Sequence, residues 1–195
     1  MKKYTKRITC IALAVAAAAT LTLAAFAAEY ASKPSFSDTP AQSTDVTTSD
    51  LNNAIDDALE NDDGVAVATI EAASTDNLTL SANVMKALAD KEDVILQIET
   101  DEVTIEIDAS TIENTKKINL SMNVANTSKK SVVNFKSNSE FGCEVKIILK
   151  GCKLSEDVLE NAKAYRYGYE TGPVFTGEDG LPYFIATKGG SYEIR

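Results

Sequence analysis

Histidine and tryptophan are both missing from the 195 residues, and cysteine occurs only three times. Without imidazole there is no Ser-His-Asp or Cys-His arrangement and no histidine-built zinc site. Three cysteines are too few for a disulfide scaffold. Positive charge is also scarce: 19 Lys and Arg face 29 Asp and Glu, a formal net charge of −10. Four of those bases, Lys2, Lys3, Lys6 and Arg7, lie in the first 27 residues, which hold no acid. The rest of the chain therefore carries 15 basic against 29 acidic residues, net −14. A surface that acidic repels nucleic acid and anionic lipid, so neither is an expected partner. What is present is ordinary globular composition, 44% hydrophobic and 25% charged.

The N-terminus reads as an export signal. Met1 to Arg7 is a basic n-region, Ile8 to Ala24 an unbroken run of small and apolar residues, and Ala25-Phe26-Ala27 an A-x-A cleavage site. Residues 1–27 are the expected signal peptide. A retained anchor is the alternative, since the run to Ala28 is long enough to span a bilayer, although Ala and Thr make a weak span. Cys10 opens the apolar run rather than closing it, which does not fit a lipoprotein cysteine. The closing Tyr192-Glu193-Ile194-Arg195 is not a wall-sorting tail. The expected location is extracellular, secreted or associated with the cell surface.

Residues 28–48, rich in Ser, Thr, Pro, Asp and Ala, read as a flexible tether. A single domain is expected from 49 to 195. Thr48 or Ser49 can cap a first helix with Leu51, Ile55 and Leu59 on one stripe, and Asn61-Asp62-Asp63-Gly64 stops it. Ser81 caps a second helix that buries Val84, Met85 and Leu88. From Val94 the period falls to two. Val94, Leu96 and Ile98 alternate with polar partners, as do Val103, Ile105 and Ile107 after a tight turn. Ile118 to Val124, Val133 to Phe135, Phe141 to Leu149, Ala162 to Tyr169, Val174 to Thr176, Pro182 to Thr187 and Tyr192 to Ile194 complete the strand pattern. Glu178-Asp179-Gly180 marks a hairpin turn. Short strands at this spacing indicate a mainly β chain, a β-sandwich or barrel-like domain with two short N-terminal helices, or an α+β fold if the helices weigh more.

The order of these segments carries a resemblance. Leu51-Asn52-Asn53-Ala54-Ile55 and Val84-Met85-Lys86-Ala87-Leu88 stand before Val94-Ile95-Leu96-Gln97-Ile98 and Val103-Thr104-Ile105-Glu106-Ile107. The chain closes on a Tyr-rich strand, the Glu-Asp-Gly hairpin and Gly190-Ser191-Tyr192-Glu193-Ile194. Together they resemble a β-rich, Ig-like extracellular domain of secreted and cell-surface proteins in Gram-positive anaerobes such as clostridia and ruminococci. The resemblance covers nearly all of residues 49–195 and implies a non-enzymatic binding, adhesion or scaffold module. It supplies no catalytic residues.

Tyr165, Tyr167 and Tyr169 recur at strand spacing, which predicts an aromatic row on one face, able to stack on sugar rings. The bland reading buries them under a loop or in the sheet. Asp56, Asp57, Glu60, Asp62 and Asp63 cluster near the first helix, but their spacing is not that of a calcium loop. No metal, cofactor or catalytic residue is expected. Cys143 alternates with polar residues on a strand, so it is expected to pack inward, too far along from Cys152 to bridge it. The expected partner is a polysaccharide or a surface protein, and the expected state a monomer. Two other functions stay open: a secreted carbohydrate-active hydrolase using a carboxylate pair, and a structural surface protein that self-associates through a strand edge or Cys152.

Secretion from a Gram-positive host should give a mature protein starting at Ala28, read by intact mass or N-terminal sequencing. Full-length chain retained in the membrane fraction would establish the anchor instead.

Overall fold

Thr44 to Val46 already forms the first strand, β1, inside the stretch expected to be a tether. It lies parallel to β4 (Leu78–Leu80), and the Thr79 hydroxyl donates to the Asp45 carboxylate across the pair. The next residue caps α1 (Thr48–Asp56): the Thr47 side chain accepts from the Asp50 N–H, and Asp50 accepts from the Thr47 N–H. The Thr47 hydroxyl also donates to Asp50 Oδ2 at 2.7 Å, and this bond, with that from the Thr47 N–H, lowers the Asp50 carboxyl pKa. The cap is therefore Thr47, one residue before Thr48, because only there can both halves of a capping box form. The computed structural model describes residues 44–60, 64–91 and 93–195, all within the unit Thr39–Arg195. The signal peptide, most of the expected tether, Cys10, Asp62 and Asp63 lie outside the described residues.

After α1 the chain runs β2 (Leu59–Glu60), β3 (Ala66–Glu71), β4 and α2 (Ala82–Ala89). Leu59 is in strand, so the first helix is shorter than its apolar stripe suggests. β5 (Val94–Glu99), β6 (Val103–Asp108), β7 (Ile118–Asn119), β8 (Met122–Asn126), β9 (Ser131–Phe135) and β10 (Glu140–Leu149) follow. A short helix, α3 (Glu156–Leu159), leads to β11 (Lys163–Arg166), β12 (Tyr169–Pro173), β13 (Phe175–Thr176), β14 (Pro182–Lys188) and β15 (Ser191–Ile194).

The strands form three sheets. One is small, β1-β4-β7; one has seven strands in the order β13-β14-β10-β6-β5-β3-β2; one has five, β12-β11-β15-β9-β8. The chain is mainly β and the sheets stay open, so the sandwich alternative holds and the barrel does not. Only β3 and β5 are parallel neighbours within the seven-stranded sheet. Parallel neighbours need a crossover, and β4 with α2 supplies it. Ser81 caps α2, its hydroxyl accepting from the Val84 N–H at 3.3 Å, and Val84, Met85 and Leu88 are buried as their spacing predicts.

The period-two strands give the large sheet one apolar face. Leu96, Ile107, Val145 and Ala186 lie in one cross-strand row, and Ile98, Ile105, Ile147 and Phe184 in the next, all buried. Two different layers cover this face. α1 rests against β3 and α2 at one end. At the other end the five-stranded sheet packs through aromatic rings: Phe135 to Phe141 at 5.3 Å, Phe135 to Tyr192 at 5.9 Å and Phe184 to Tyr192 at 5.2 Å between centroids. Helices and both larger sheets share one continuous core.

Cys143 and Cys152 are unbridged. Cys143 packs inward as its alternation predicts, and burial pushes its thiol up to about 11. Cys152 is half-buried, its Sγ 3.4 Å from the Ser131 hydroxyl.

Two outcomes follow for stability. Phe184→Ala empties a fully buried site between the sheets and should lower the unfolding free energy by about 3–5 kcal/mol, read from urea melts. Raising the pH from 9 to 11 should also destabilise the fold. In that window the unfolded thiol ionises while Cys143 keeps its proton, so the unfolded state binds fewer protons and stability falls with pH. Burial raises the Tyr192 hydroxyl in the same direction. Cys143→Ala should flatten part of the loss; an unchanged alkaline slope would remove Cys143 as its cause.

Candidate functional site

The predicted tyrosine row does not form. Its strand stops at Arg166, and Tyr167-Gly168 make the two-residue turn between β11 and β12, with φ of +51° and +84°. Those angles suit a primed hairpin turn, whose twist matches the flanking strands. Alternation along one strand therefore ends before Tyr167. Tyr165 stands opposite Glu193 and Glu170, while Tyr169 stands opposite Arg166. Directly opposed residues share a face, and neighbours on a strand do not, so Tyr165 and Tyr169 point to opposite sides. The Tyr165 ring carries the Arg195 guanidinium 4.6 Å from its centroid. The Tyr167 hydroxyl donates to Asn138 Oδ1. Tyr169 is the most exposed of the three, at 79%.

A different aromatic pair stacks outside the core. The apolar residues of β5, β6, β10 and β14 face the core, so their alternates form the opposite, open face of the large sheet. Register aligns these alternates in rows across the strands. One row is Glu71, Glu99, Thr104, Ile148, Tyr183 and Phe175; the next is Thr69, Gln97, Glu106, Lys146 and Ile185. At the first row's end the Phe175 and Tyr183 rings stack, centroids 5.2 Å apart and planes at 21°. Phe175 is 41% exposed. Lys146 places its ammonium 4.5 Å from the Tyr183 centroid and 2.8 Å from Glu106.

The second row is a ladder of polar contacts. The Thr69 hydroxyl donates to Gln97 Oε1 at 3.1 Å, and Gln97 Nε2 donates to Glu106 at 3.4 Å. Lys150 closes the far side, donating to the Thr100 carbonyl at 2.9 Å and standing 3.4 Å from Glu99. Rows on neighbouring strands repeat at about 4.8 Å, so donors and acceptors alternate at a regular step beside the aromatic pair. The Gly177–Leu181 turn rises over the sheet and makes the face concave, a groove of about 440 Å³ that includes Tyr183, Lys146, Glu106 and Asp179. The turn is held by Gly177 N–H to the Leu181 carbonyl and Leu181 N–H to Asp179 Oδ1, both 2.9 Å.

An aromatic platform beside a row of amides, carboxylates and an ammonium can stack an apolar ring face while exchanging hydrogen bonds with hydroxyls at its edge. Among the described residues no group of three or more Cys, Asp and Glu is placed to hold a metal ion. No helix among them is long and apolar enough to cross a membrane. The sequence pattern did contain a trace of this pair. Phe175 and Tyr183 stand at equal distances on either side of Asp179 in the Glu178-Asp179-Gly180 turn, and a hairpin places such residues opposite each other.

The chain matches no family model, no curated protein and no solved structure.

Proposed function

We propose that the protein is an exported, non-enzymatic binding or adhesion module of a Gram-positive bacterial surface, and that the open face of its seven-stranded sheet contacts a polysaccharide. The observation that carries the reading is the stacked Phe175–Tyr183 pair beside the Thr69–Gln97–Glu106–Lys146 ladder on one concave face. A face serving only as solvated surface has no need of two large rings stacked outside the core. Every strand that bears the ladder also buries apolar residues on its other side, so the contact groups stand on a rigid support. Rigidity matters for weak ligands, because side chains held in place lose less entropy on binding. The basic and apolar N-terminus supports the exported location, and the resemblance of the whole segment order supports the surface role.

The test is binding of the secreted protein to a panel of plant, mucin and cell-wall polysaccharides, by affinity electrophoresis and calorimetry. At least one should bind, and Tyr183→Ala or Phe175→Ala should weaken it by about 5- to 30-fold, since one stacked ring contributes roughly 1–2 kcal/mol. Both substitutions lie outside the core, so the thermal midpoint should move little. No binding across the panel by folded protein would overturn the polysaccharide reading and turn the search to protein partners at the cell surface.

A further inference from the structure

A second groove, about 540 Å³, lies on the other side of the stacked pair, between β12 and β14. Phe175 and Ile185 form its apolar wall, Thr171 and Thr187 bring hydroxyls, and Arg166 reaches into it with Lys188 and Glu144. Arg166 is held from two directions. Its Nε–H donates to the Gly189 carbonyl at 2.8 Å, and its guanidinium lies 5.0 Å from the Tyr167 ring centroid. Both supports are themselves constrained. A Cβ on Gly189 would come within 1.9 Å of the Ser137 carbonyl oxygen. Tyr167 adopts a positive φ that costs a non-glycine residue energy.

Among the described residues the cations lining the two grooves fare differently. Lys146 pairs with Glu106, Lys150 with Glu99 and Lys188 with Glu140, whose carboxyl pKa the Lys188 hydrogen bond lowers. Arg166 has no carboxylate partner, and only its Nε–H is bonded. The remaining four donors of a half-buried, pre-positioned guanidinium form a fork that fits one carboxylate.

The geometry points to Arg166 as the receptor for a sugar carboxylate, a uronate unit on the glycan that crosses the Phe175–Tyr183 stack. This rests on reading the open face as a polysaccharide surface. Glu144 in the same groove and the net acidity of the chain disfavour a polyanion, so the ligand is an otherwise neutral chain with isolated acidic units.

Calorimetry with a xylo-oligosaccharide carrying one glucuronate branch, and with its methyl ester, tests the assignment. The secreted protein should bind the acid about tenfold more tightly than the ester. Arg166→Gln should bring the acid down to the ester's affinity and leave the ester unchanged. Arg166→Lys should recover only part of the difference, since an ammonium lacks the fork. Tyr183→Ala should weaken both ligands alike. Equal affinity for acid and ester in the wild type overturns the role of Arg166 while the polysaccharide surface stands, and it does so even if the Arg166 variants fail to fold. Binding of other panel members with neither fragment bound also overturns the uronate assignment. No binding of any polysaccharide overturns the surface and the assignment together.

Discussion

Four aromatic rings, Phe135, Phe141, Phe184 and Tyr192, join the two larger sheets, and the placement of the outer groups follows from them. Their edge and tilted contacts pack β9 and β15 of one sheet against β10 and β14 of the other. Aromatic pairs favour such offset geometry over face-to-face stacking, so the contacts fix orientation as well as distance. With Phe184 pointing inward, strand alternation sends Tyr183 outward. With Tyr192 pointing inward, its cross-strand partner Arg166 is drawn to the same side of the neighbouring sheet. The Tyr192 hydroxyl then ties this layer to the end of β14 by donating to the Lys188 carbonyl at 2.7 Å. The core thus determines which face each groove-lining group occupies.

The seven-stranded sheet presents more apolar surface than the five-stranded sheet covers. α1 and α2 take the part over β3 and β5, the strands whose parallel pairing already calls for a crossover. The helices are therefore part of the same core rather than an appendage at one open end. Among the described residues the opposite face of the seven-stranded sheet has no such layer, and most of its side chains are polar or charged instead. That asymmetry is ordinary for antiparallel sheets. The stacked aromatic pair is the departure from it.

Local periodicity made much of this legible. β5, β6, β10 and β14 follow from alternation, and α2 follows from Ser81 together with Val84, Met85 and Leu88. Cys143 was readable as a core residue for the same reason. The tyrosine row misled because alternation is informative only while a strand continues, and Tyr167 occupies a left-handed turn position that a bulky residue rarely takes. β1 was hidden because three residues of ordinary polar composition become a strand only when β4 lies alongside. The aromatic pair and the polar ladder were hidden for a related reason: each is assembled by register among residues distant in sequence. Which of several exposed side chains end up side by side is set by non-local pairing, and one sequence encodes that pairing only through the whole fold.

The net negative charge constrains how such a surface can work. Exposed ion pairs contribute little stability individually, yet here they set local charge. Lys146 and Lys150 are each matched by a carboxylate on the open face, leaving an array of dipoles and hydrogen-bonding groups rather than a cationic patch. A face of that kind suits a neutral chain held by stacking and hydrogen bonds, a mode with little dependence on salt. The unmatched guanidinium of Arg166 lies just beyond it, across the stack. On the proposed reading, that separation assigns affinity to the platform and discrimination to a single charged group, so the protein's overall acidity need not exclude a ligand that carries an isolated acid. Such a ligand would bind with modest salt sensitivity confined to its acidic unit, because only one charge pair is formed on binding.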